Sequence, residues 1–483
     1  MEFDAAVAKI GEFGRYQRIQ YLVANICSIP LYFQSLLGVF IAAQPKWKCV
    51  GQTNEPLCLP NGKICSKPQF VSQYSSIVTE WNLVCGDAYK AELAQSILMA
   101  GFLVGAFSGG YASDRYGRKR VWLTALVMNS VLGILCAFSP TLNAFYGFRF
   151  LQGVFIQSGT MTTFVISTEM IGPSYRGSTG MYVSIFAALS YPVLAFLASI
   201  FTNWRTLILI TVAPPIASLF LAFLVSESPR WLLTVGRVSE AEEIINEAAR
   251  VNGLPNAKIT LTSIVSSGRK VTVKTSGHSI LSIFTKRSLR TITMVMMVSF
   301  MASGIGYFGL SLNVRNLGGS VYWNFALFGI VEIPSYIMAA PILEALGRRK
   351  TNFLLTLSGG IACLICMQLQ QTQYDSPSLV NAIALLGKFC VSAANALIYI
   401  YAAELFPTVI RNMAIGVFAV CIRLGAITAP FIVLLGNENK SIPMQVFSCI
   451  TLLAAFLGLK LPETSGRPLP QTFEDLHADC INK

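Results

Sequence analysis

The feature that most constrains this chain is a charged segment that occurs twice in an otherwise apolar sequence. The copies, Asp114–Arg120 and Glu344–Lys350, lie 230 positions apart, and each stands between two apolar runs of membrane length. Further charged residues recur at nearly the same distance, namely Glu169 and Glu404, Arg176 and Arg411, and Glu227 and Glu463. A repeat this long indicates two similar halves rather than a solenoid, whose period is roughly 20–50 residues. Paired halves in a membrane protein are typical of a secondary transporter.

The composition supports a membrane protein. The chain is 54% hydrophobic and 12% charged, whereas a globular domain has about 25% charged residues. Twelve apolar runs approach or exceed the ~20 residues that a membrane-spanning helix needs. The predicted helices are Ile19–Ala43, Ala91–Ala112, Val121–Phe138, Ala144–Ser167, Gly177–Phe201, Leu207–Val225, Leu289–Leu312, Val321–Leu343, Thr351–Leu369, Ser378–Ala403, Met413–Leu435 and Ile442–Leu461.

These runs fall six and six on either side of a polar stretch, so we predict an all-α membrane protein of two six-helix halves. Its parts are a cytosolic N-terminus (1–18), a first half (19–226) with an external loop (44–90), a cytosolic linker (227–288), a second half (289–461) and a cytosolic tail (462–483). The linker is expected to hold an amphipathic helix with Ser239 as its N-cap, because Glu242 follows three residues later.

The net charge of +13 is distributed in a way that argues against a nucleic-acid partner. Lys and Arg are concentrated on one side of the predicted membrane, and this asymmetry places that side, with both termini, in the cytosol. The residues concerned include Arg115, Arg118, Lys119, Arg120, Arg230, Arg237, Arg250, Arg269, Lys270, Lys286, Arg287, Arg348, Arg349 and Lys350. The first residues hold Glu2 and Asp4 and no apolar core, so we expect no cleavable signal peptide.

The cysteines fit this topology. Four of the twelve lie in the predicted external loop, where an oxidising compartment favours two disulfides with three possible connectivities. These four are Cys49, Cys58, Cys65 and Cys85. Cys363 and Cys366 lie in an apolar helix without partner histidines, so we predict no metal or redox site there.

The chain carries no signature of an enzyme or an ATP-driven pump. It has two histidines, His278 and His477, and no Walker-type Gly-Lys-Ser/Thr sequence. We therefore expect no catalytic residue and no cofactor. A coupling ion, sodium or proton, is left open.

Several segments give the chain a resemblance to a known family. They are Gly11–Gly14, Ser75–Cys85, Gly110–Arg120, Glu227–Arg230, Gly306–Leu312, Val331–Pro334, Ala403–Asn412 and Leu461–Thr464. The chain resembles the major facilitator superfamily over nearly its whole length, and within it the organic cation, carnitine and zwitterion transporters. The resemblance implies a monomeric plasma-membrane transporter whose substrate is a small organic cation or zwitterion. In the family the position of Arg423 is typically aspartate in strict cation carriers and arginine in anion and zwitterion carriers.

Charged residues inside the predicted membrane indicate where a substrate binds, because each costs at least ~2.5–3.5 kcal/mol at a helix centre unless it is paired or hydrated. The four that stand out are Arg149, Glu332, Lys388 and Arg423. Arg149 resembles a structural arginine of the superfamily. Glu332 and Arg423 lie mid-helix, at the depth of a transporter site. The predicted substrate-binding residues are Arg423, Glu332, Phe300, Tyr307, Lys388, Asn395, Tyr399 and Gln157.

Helical spacing groups some of these residues. Lys388, Asn395 and Tyr399 share one helix face, and Phe300 and Tyr307 share another. A guanidinium for a carboxylate, and a carboxylate with aromatic rings for an ammonium group, would suit a zwitterion. In an alternative interpretation Glu332 and Arg423 pair with each other and serve only structure or gating.

The charged residues at the predicted cytosolic helix ends are expected to form a latch that is closed when the cavity faces outward. An ion network present in one conformation and broken in another biases the equilibrium between them. The predicted gating residues are Asp114, Arg118, Glu169, Arg176, Glu227, Arg230, Glu404 and Arg411, with Glu463. Two alternative functions are kept beside transport of cations or zwitterions. One is an organic anion exchanger of the same fold, and the other is a non-transporting membrane receptor.

Overall fold

The structure, a computed structural model, describes residues 3–49, 58, 68–71, 74–213, 220–221, 223–254, 259–261, 287–372 and 376–465, and these are mostly helical. The helices are α1 (Phe3–Ile10), α2 (Arg15–Leu36), α3 (Gly38–Ile41), α4 (Ile77–Trp81), α5 (Tyr89–Tyr116), α6 (Arg118–Ala137), α7 (Leu142–Glu169), α8 (Pro173–Ile200), α9 (Trp204–Val212), α10 (Pro229–Thr234), α11 (Val238–Val251), α12 (Arg287–Asn313), α13 (Val321–Leu346), α14 (Arg348–Gln371), α15 (Pro377–Leu405), α16 (Thr408–Leu434) and α17 (Ser441–Gly458). Three short 3₁₀ helices are Cys85–Asp87, Val314–Asn316 and Leu435–Asn437.

The predicted membrane spans coincide with helices of the described chain. Ten helices there are long and apolar enough to cross a membrane. The predicted span Ala144–Ser167 is α7, a helix of 28 residues with several buried polar side chains. Only the first part of the predicted span Leu207–Val225 is seen as a helix, α9, because residues 214–219 and 222 lie outside the described ranges.

The chain divides into two compact units. The first comprises Met1–Leu37, Ala100–Ser190 and Arg205–Gly277, and the second comprises Gly38–Met99, Tyr191–Trp204 and His278–Lys483. The second unit therefore contains segments that precede the linker in sequence as well as all the helices that follow it.

In the first unit, three short helices from the predicted cytosolic segments share an apolar cluster. Buried residues of α1, such as Phe3 and Val7, pack with Trp231 of α10 and Ile245 of α11. Helix α11 begins at Val238 with Arg237 as its N-cap, so the predicted N-cap Ser239 is wrong by two residues. The preceding Gly236 has φ of +81° and ends α10, which brings the chain into the new helix at Arg237.

In the second unit, α12 packs closely along α16. A Cβ atom at Gly304 would lie 2.2 Å from the carbonyl oxygen of Ile422, and one at Gly425 would lie 2.4 Å from that of Met301. Glycine is needed at both positions because any side chain would push the two backbones apart. This close approach fixes α16, which carries Arg423, against α12.

The predicted external loop contains a short antiparallel hairpin in the described residues, β1 (Trp47–Cys49) paired with β2 (Pro68–Phe70). Cys58 and Cys85 form a disulfide, and Cys49 is also disulfide-bonded. Cys65 lies outside the described residues. The predicted disulfide between loop cysteines is thus confirmed for Cys58 and Cys85.

Removing this disulfide should destabilise the external loop. A cross-link of this kind typically contributes about 2–4 kcal/mol, largely by restricting the unfolded chain. We expect Cys58→Ser to lower the thermal unfolding temperature, while Cys449→Ser, at a free exposed cysteine, should leave it unchanged. Mass mapping of unreduced protein provides the direct check. Alkylation of both Cys58 and Cys85 without a reductant would contradict the assignment.

Candidate functional site

The two helix faces predicted from the sequence, one with Lys388 and Tyr399 and the other with Phe300 and Tyr307, are in contact in the second unit. The Nζ atom of Lys388, on α15, lies 3.7 Å from the ring centroid of Tyr307, on α12. The rings of Phe300 and Tyr399, on the same two helices, are 5.0 Å apart in an edge-to-face arrangement. The predicted faces therefore pack against each other at two levels along the helices.

Glu332, on α13, joins this group through Lys388. Its Oε1 atom lies 2.7 Å from Nζ of Lys388, and both side chains have 0% exposure. Its Oε2 atom accepts hydrogen bonds from the hydroxyls of Tyr307 and Tyr336 over 3.1 and 3.0 Å. The structure thus shows Glu332 paired with Lys388, which differs from the alternative in which Glu332 pairs with Arg423.

Four polar or aromatic partners in this region were missed by the sequence analysis. Ser303 donates to Oδ1 of Asn395 over 2.8 Å, and Ser311 accepts from Nζ of Lys388 over 2.7 Å. The hydroxyl of Tyr191 lies 3.2 Å from that of Ser311. The remaining partner is Tyr336. Serines are common in transmembrane helices, so a serine in the sequence does not by itself indicate a binding site. These four partners could have been found only from their positions relative to the charged residues.

Arg423 lies on α16, and its aromatic neighbour is Tyr399 of α15. It is close enough to Tyr399 for an electrostatic interaction. The ring of Phe300 stacks on that of Phe418 with centroids 5.1 Å apart, and the ring of Phe406 lies 5.3 Å from Phe418. Arg423 offers a partner to a carboxylate, and the ring of its neighbour Tyr399, in contact with that of Phe300, offers a cation–π surface to an ammonium group.

Two other intramembrane residues belong to the first unit. Gln157 is buried, with 6% exposure, on α7. Arg149, also on α7, is 1% exposed and donates hydrogen bonds to the side chains of Gln152 and Gln34 over 2.9 and 3.4 Å. A buried charge with such a hydrogen-bonded setting fits the structural role expected of Arg149.

The repeated charges at the predicted cytosolic helix ends form an ion network within the first unit. The guanidinium of Arg118 lies 2.9 Å from the Asp114 carboxylate and 3.2 Å from that of Glu169. The Glu227 carboxylate accepts the backbone N–H groups of Arg118 and Lys119 over 2.9 and 3.0 Å. A carboxylate in this place satisfies free N–H groups at the start of α6 and interacts favourably with the helix dipole.

The second unit repeats this network. The Arg348 guanidinium lies 2.9 Å from Glu404, and the Glu463 carboxylate accepts the backbone N–H groups of Arg348 and Arg349 over 2.7 and 3.1 Å. The turn between the helices is a single glycine in each copy, Gly117 or Gly347, with φ of +103° or +81°. A side chain there would be strained and would meet the carboxylate of Glu227 or Glu463.

The carboxylate of Glu463 is stabilised in its charged form. Burial, the largest single influence, acts to raise its pKa, but hydrogen bonds from four backbone amides outweigh burial and lower the pKa below its usual value. The four amides belong to Arg348, Arg349, Thr464 and Ser465. A lowered carboxylate pKa means that this stabilisation is present above the unfolded-state pKa and is lost as the pH falls through the folded-state pKa.

Two predicted gating residues, Arg176 and Arg230, converge on a residue that the sequence analysis did not consider for this role. Both guanidinium groups contact the carboxylate of Asp4, on α1, and the distance for Arg176 is 3.2 Å. Arg176 also donates to the backbone oxygen of Ile171 over 3.2 Å, and its counterpart Arg411 donates to the equivalent backbone oxygen of Phe406 over 3.1 Å. In the described part of the chain, the two networks are therefore alike in their central ion pairs and in this backbone bond, and the first differs by its contact with Asp4.

A buried ion pair at the predicted external side was also missed. Arg315, in the 3₁₀ helix after α12, forms two hydrogen bonds to the Glu92 carboxylate over 2.8 and 2.9 Å. The side chains are 11% and 3% exposed, and Arg315 also donates to the backbone oxygen of Ala42 over 2.9 Å. Glu92 precedes the linker and Arg315 follows it, so the pair joins the two predicted six-helix halves.

Known proteins resemble the whole chain. Residues 66–476 match the family described as sugar (and other) transporter. The chain is 34% identical to a solute carrier family 22 member 15-like protein of Xenopus tropicalis over 99% of its own length and 97% of that protein. It is 33% identical to organic cation/carnitine transporter 2 of Homo sapiens, over 98% and 94%. The inward-open xylose transporter XylE of E. coli aligns with a TM-score of 0.69 at 17% identity, over 95% and 98%. This similarity confirms the predicted major facilitator fold.

Proposed function

The chain belongs to the sugar and other transporter family of the major facilitator superfamily and is a multi-pass membrane transporter, and on this premise we propose that it carries carnitine-like zwitterions. Organic cations are the second part of the proposed substrate class. Relatives named organic cation/carnitine transporter support this class. No enzymatic activity is assigned.

The observation that carries the proposal is the electrostatic interaction of Arg423 with Tyr399, whose ring in turn contacts that of Phe300. A substrate carboxylate would bind the guanidinium, and its ammonium group would contact the aromatic faces of Phe300 and Tyr399. Glu332 is already neutralised by Lys388, so a carboxylate-bearing ligand meets a site whose acidic residue does not repel it.

The same pairing favours an organic anion exchanger as a second candidate. If Lys388 neutralises Glu332, an anion without an ammonium group would also meet Arg423 without a nearby opposing charge from Glu332. The ammonium-binding role of the aromatic rings then decides between the two functions. Zwitterions should be preferred if these rings contribute.

Uptake of a labelled panel separates the candidates. The panel contains carnitine, ergothioneine, tetraethylammonium and para-aminohippurate, each measured with and without sodium in cells that express the protein. We expect carnitine or ergothioneine to be taken up best. Uptake of para-aminohippurate alone would favour the anion exchanger, and the dependence on sodium would identify the coupling ion.

We further propose that the protein works as a monomer in the plasma membrane by alternating access of two halves, 19–226 and 289–461, with cytosolic termini, linker (227–288) and tail (462–483). The ion networks around Arg118 and Arg348 support the cytosolic latch. Each network ties together the ends of several helices, so breaking it in one state changes the balance between states.

Asp114→Asn should slow transport without preventing delivery to the cell surface. Asp114 is 76% exposed in its pair with Arg118, so the pair contributes at most about 1 kcal/mol and its loss should change the rate by up to about fivefold. The matched control is Glu344→Gln, because Arg348 pairs with Glu404 rather than with this counterpart of Asp114. Normal turnover in Asp114→Asn, with unaltered cysteine accessibility on both sides, would contradict the latch.

A further inference from the structure

The groups around the ammonium group of Lys388 are those that would surround a bound amine ligand. Its ammonium group lies 2.7 Å from the carboxylate of Glu332, and neither side chain is exposed. The same atom lies 3.7 Å from the centroid of the Tyr307 ring and 5.7 Å from that of Tyr191, and it donates to the hydroxyl of Ser311 over 2.7 Å. A carboxylate, aromatic faces and a hydroxyl are the groups with which a protein holds a free ammonium ligand.

Both oxygens of the Glu332 carboxylate are engaged in this arrangement. Lys388 lies at Oε1, and the hydroxyls of Tyr307 and Tyr336 donate to Oε2. A free amine could reach the carboxylate only by displacing the ammonium group of Lys388. That displacement would leave a lysine charge without its counter-charge inside the protein, which is costly.

We propose that Lys388 is a tethered occupant of a cation subsite made by Glu332, Tyr307 and Tyr191, and that it keeps free amines out of this subsite. The inference rests on the proposed function, in which Arg423 holds the carboxylate of the substrate. A zwitterion retains that anchor, whereas a simple cation loses the partner that Glu332 would have offered. Lys388 is therefore a residue that determines specificity for carboxylate-bearing substrates.

Truncation of the tether should open the subsite to a free amine of defined length. Lys388→Ala keeps Cβ and removes three methylene groups and the ammonium group, which together correspond to propylammonium. We expect propylammonium to raise the thermal unfolding temperature of purified Lys388→Ala more than methyl-, ethyl- or butylammonium does. Half-maximal stabilisation should occur at a concentration at least about tenfold lower than in the unmodified protein.

The double variant Lys388→Ala/Glu332→Gln provides the control. It lacks both charges, so it should fold without an added amine and should show no propylammonium effect beyond that of the unmodified protein. If Lys388→Ala is too unstable to purify alone, propylammonium present during extraction should restore a folded, monodisperse protein. No recovery, or equal stabilisation by all four amines, would overturn the proposal and leave the ion pair a structural one.

This readout is independent of the transported substrate. Unfolding is measured on purified protein with alkylammonium ions, so a failure of carnitine uptake by the unmodified protein would count against the proposed function alone. Conversely, normal carnitine uptake with no length-dependent amine effect in Lys388→Ala would overturn the tethered-cation inference alone. Lys388→Arg, which keeps a cation in place, should bind none of the amines better than the unmodified protein does.

Discussion

Replacing Arg423 with aspartate should invert the charge preference of transport. A unit charge about 4 Å from a ligand charge contributes roughly 4 kcal/mol at the effective dielectric constant of a partly hydrated protein site. Reversing its sign turns attraction for a carboxylate into repulsion, and offers a new partner to an ammonium group. We therefore expect the uptake ratio of carnitine to tetraethylammonium to fall by on the order of 100-fold or more in Arg423→Asp.

Two further variants show whether Arg423 acts on the substrate. Arg423→Ala should weaken carnitine far more than tetraethylammonium, because only carnitine has a carboxylate to lose. Arg423→Lys keeps the charge and should keep the ratio close to its original value. All uptake is normalised to protein at the cell surface. An unchanged uptake ratio of carnitine to tetraethylammonium in both Arg423→Ala and Arg423→Asp would show that Arg423 does not bind the substrate and has only a structural role.

Replacing Glu92 with glutamine should favour opening at the external side. Breaking a buried ion pair by removing one partner typically costs about 3–5 kcal/mol, and Arg315 and Glu92 are 11% and 3% exposed. The substitution destabilises only the conformation in which residues 92 and 315 are in contact. Conformations in which the external helix ends are separated therefore become relatively more populated. A shift of this size corresponds to roughly 10²–10⁴-fold in the equilibrium.

The opening can be measured by maleimide labelling of a cysteine introduced at Ser96. Ser96 is 3% exposed and donates a hydrogen bond to the backbone oxygen of Ile427. In a Cys449→Ser background, Ser96→Cys should react slowly with an external, membrane-impermeant maleimide, and adding Glu92→Gln should make it react much faster.

The matched control is the exposed pair between Asp87 and Lys90, one turn before Glu92, with exposures of 54% and 35%. Asp87→Asn should change maleimide labelling little, because exposed pairs contribute only about 0–1 kcal/mol. The exchange Glu92→Arg/Arg315→Glu should restore slow labelling. Fast labelling in the exchanged protein, or slow labelling in Glu92→Gln, would contradict a role of this pair in external closure.

The sequence predicted the elements of the site better than their partners. Helical spacing placed Lys388 and Tyr307 on faces that meet in the structure. Helical spacing could not identify the partner of Glu332, because Lys388 is 56 positions away. Which residues of two distant helices face each other depends on how the helices pack, and no local sequence pattern shows this. Family resemblance identified the position of Arg423 and not its interaction with Tyr399.

The repeat was the most informative pattern at the predicted cytosolic side. It predicted matching charges at matching helix ends, and the structure builds similar ion networks from Arg118 and Arg348. Asp4 was missed because nothing repeats it in the second half. Glu92 was missed because acidic residues are also common in the first turn of exposed helices. Its position near the start of an apolar helix therefore did not indicate a buried ion pair.

Counterflow in proteoliposomes tests the central claim most directly. Purified protein is reconstituted in vesicles that contain unlabelled carnitine, and trace labelled carnitine is added outside without ATP. A secondary transporter that carries zwitterions by alternating access should concentrate the label transiently inside the vesicles, and tetraethylammonium should compete only weakly. Entry of the label at the same rate as in protein-free vesicles, with the protein shown to be folded, would contradict the account.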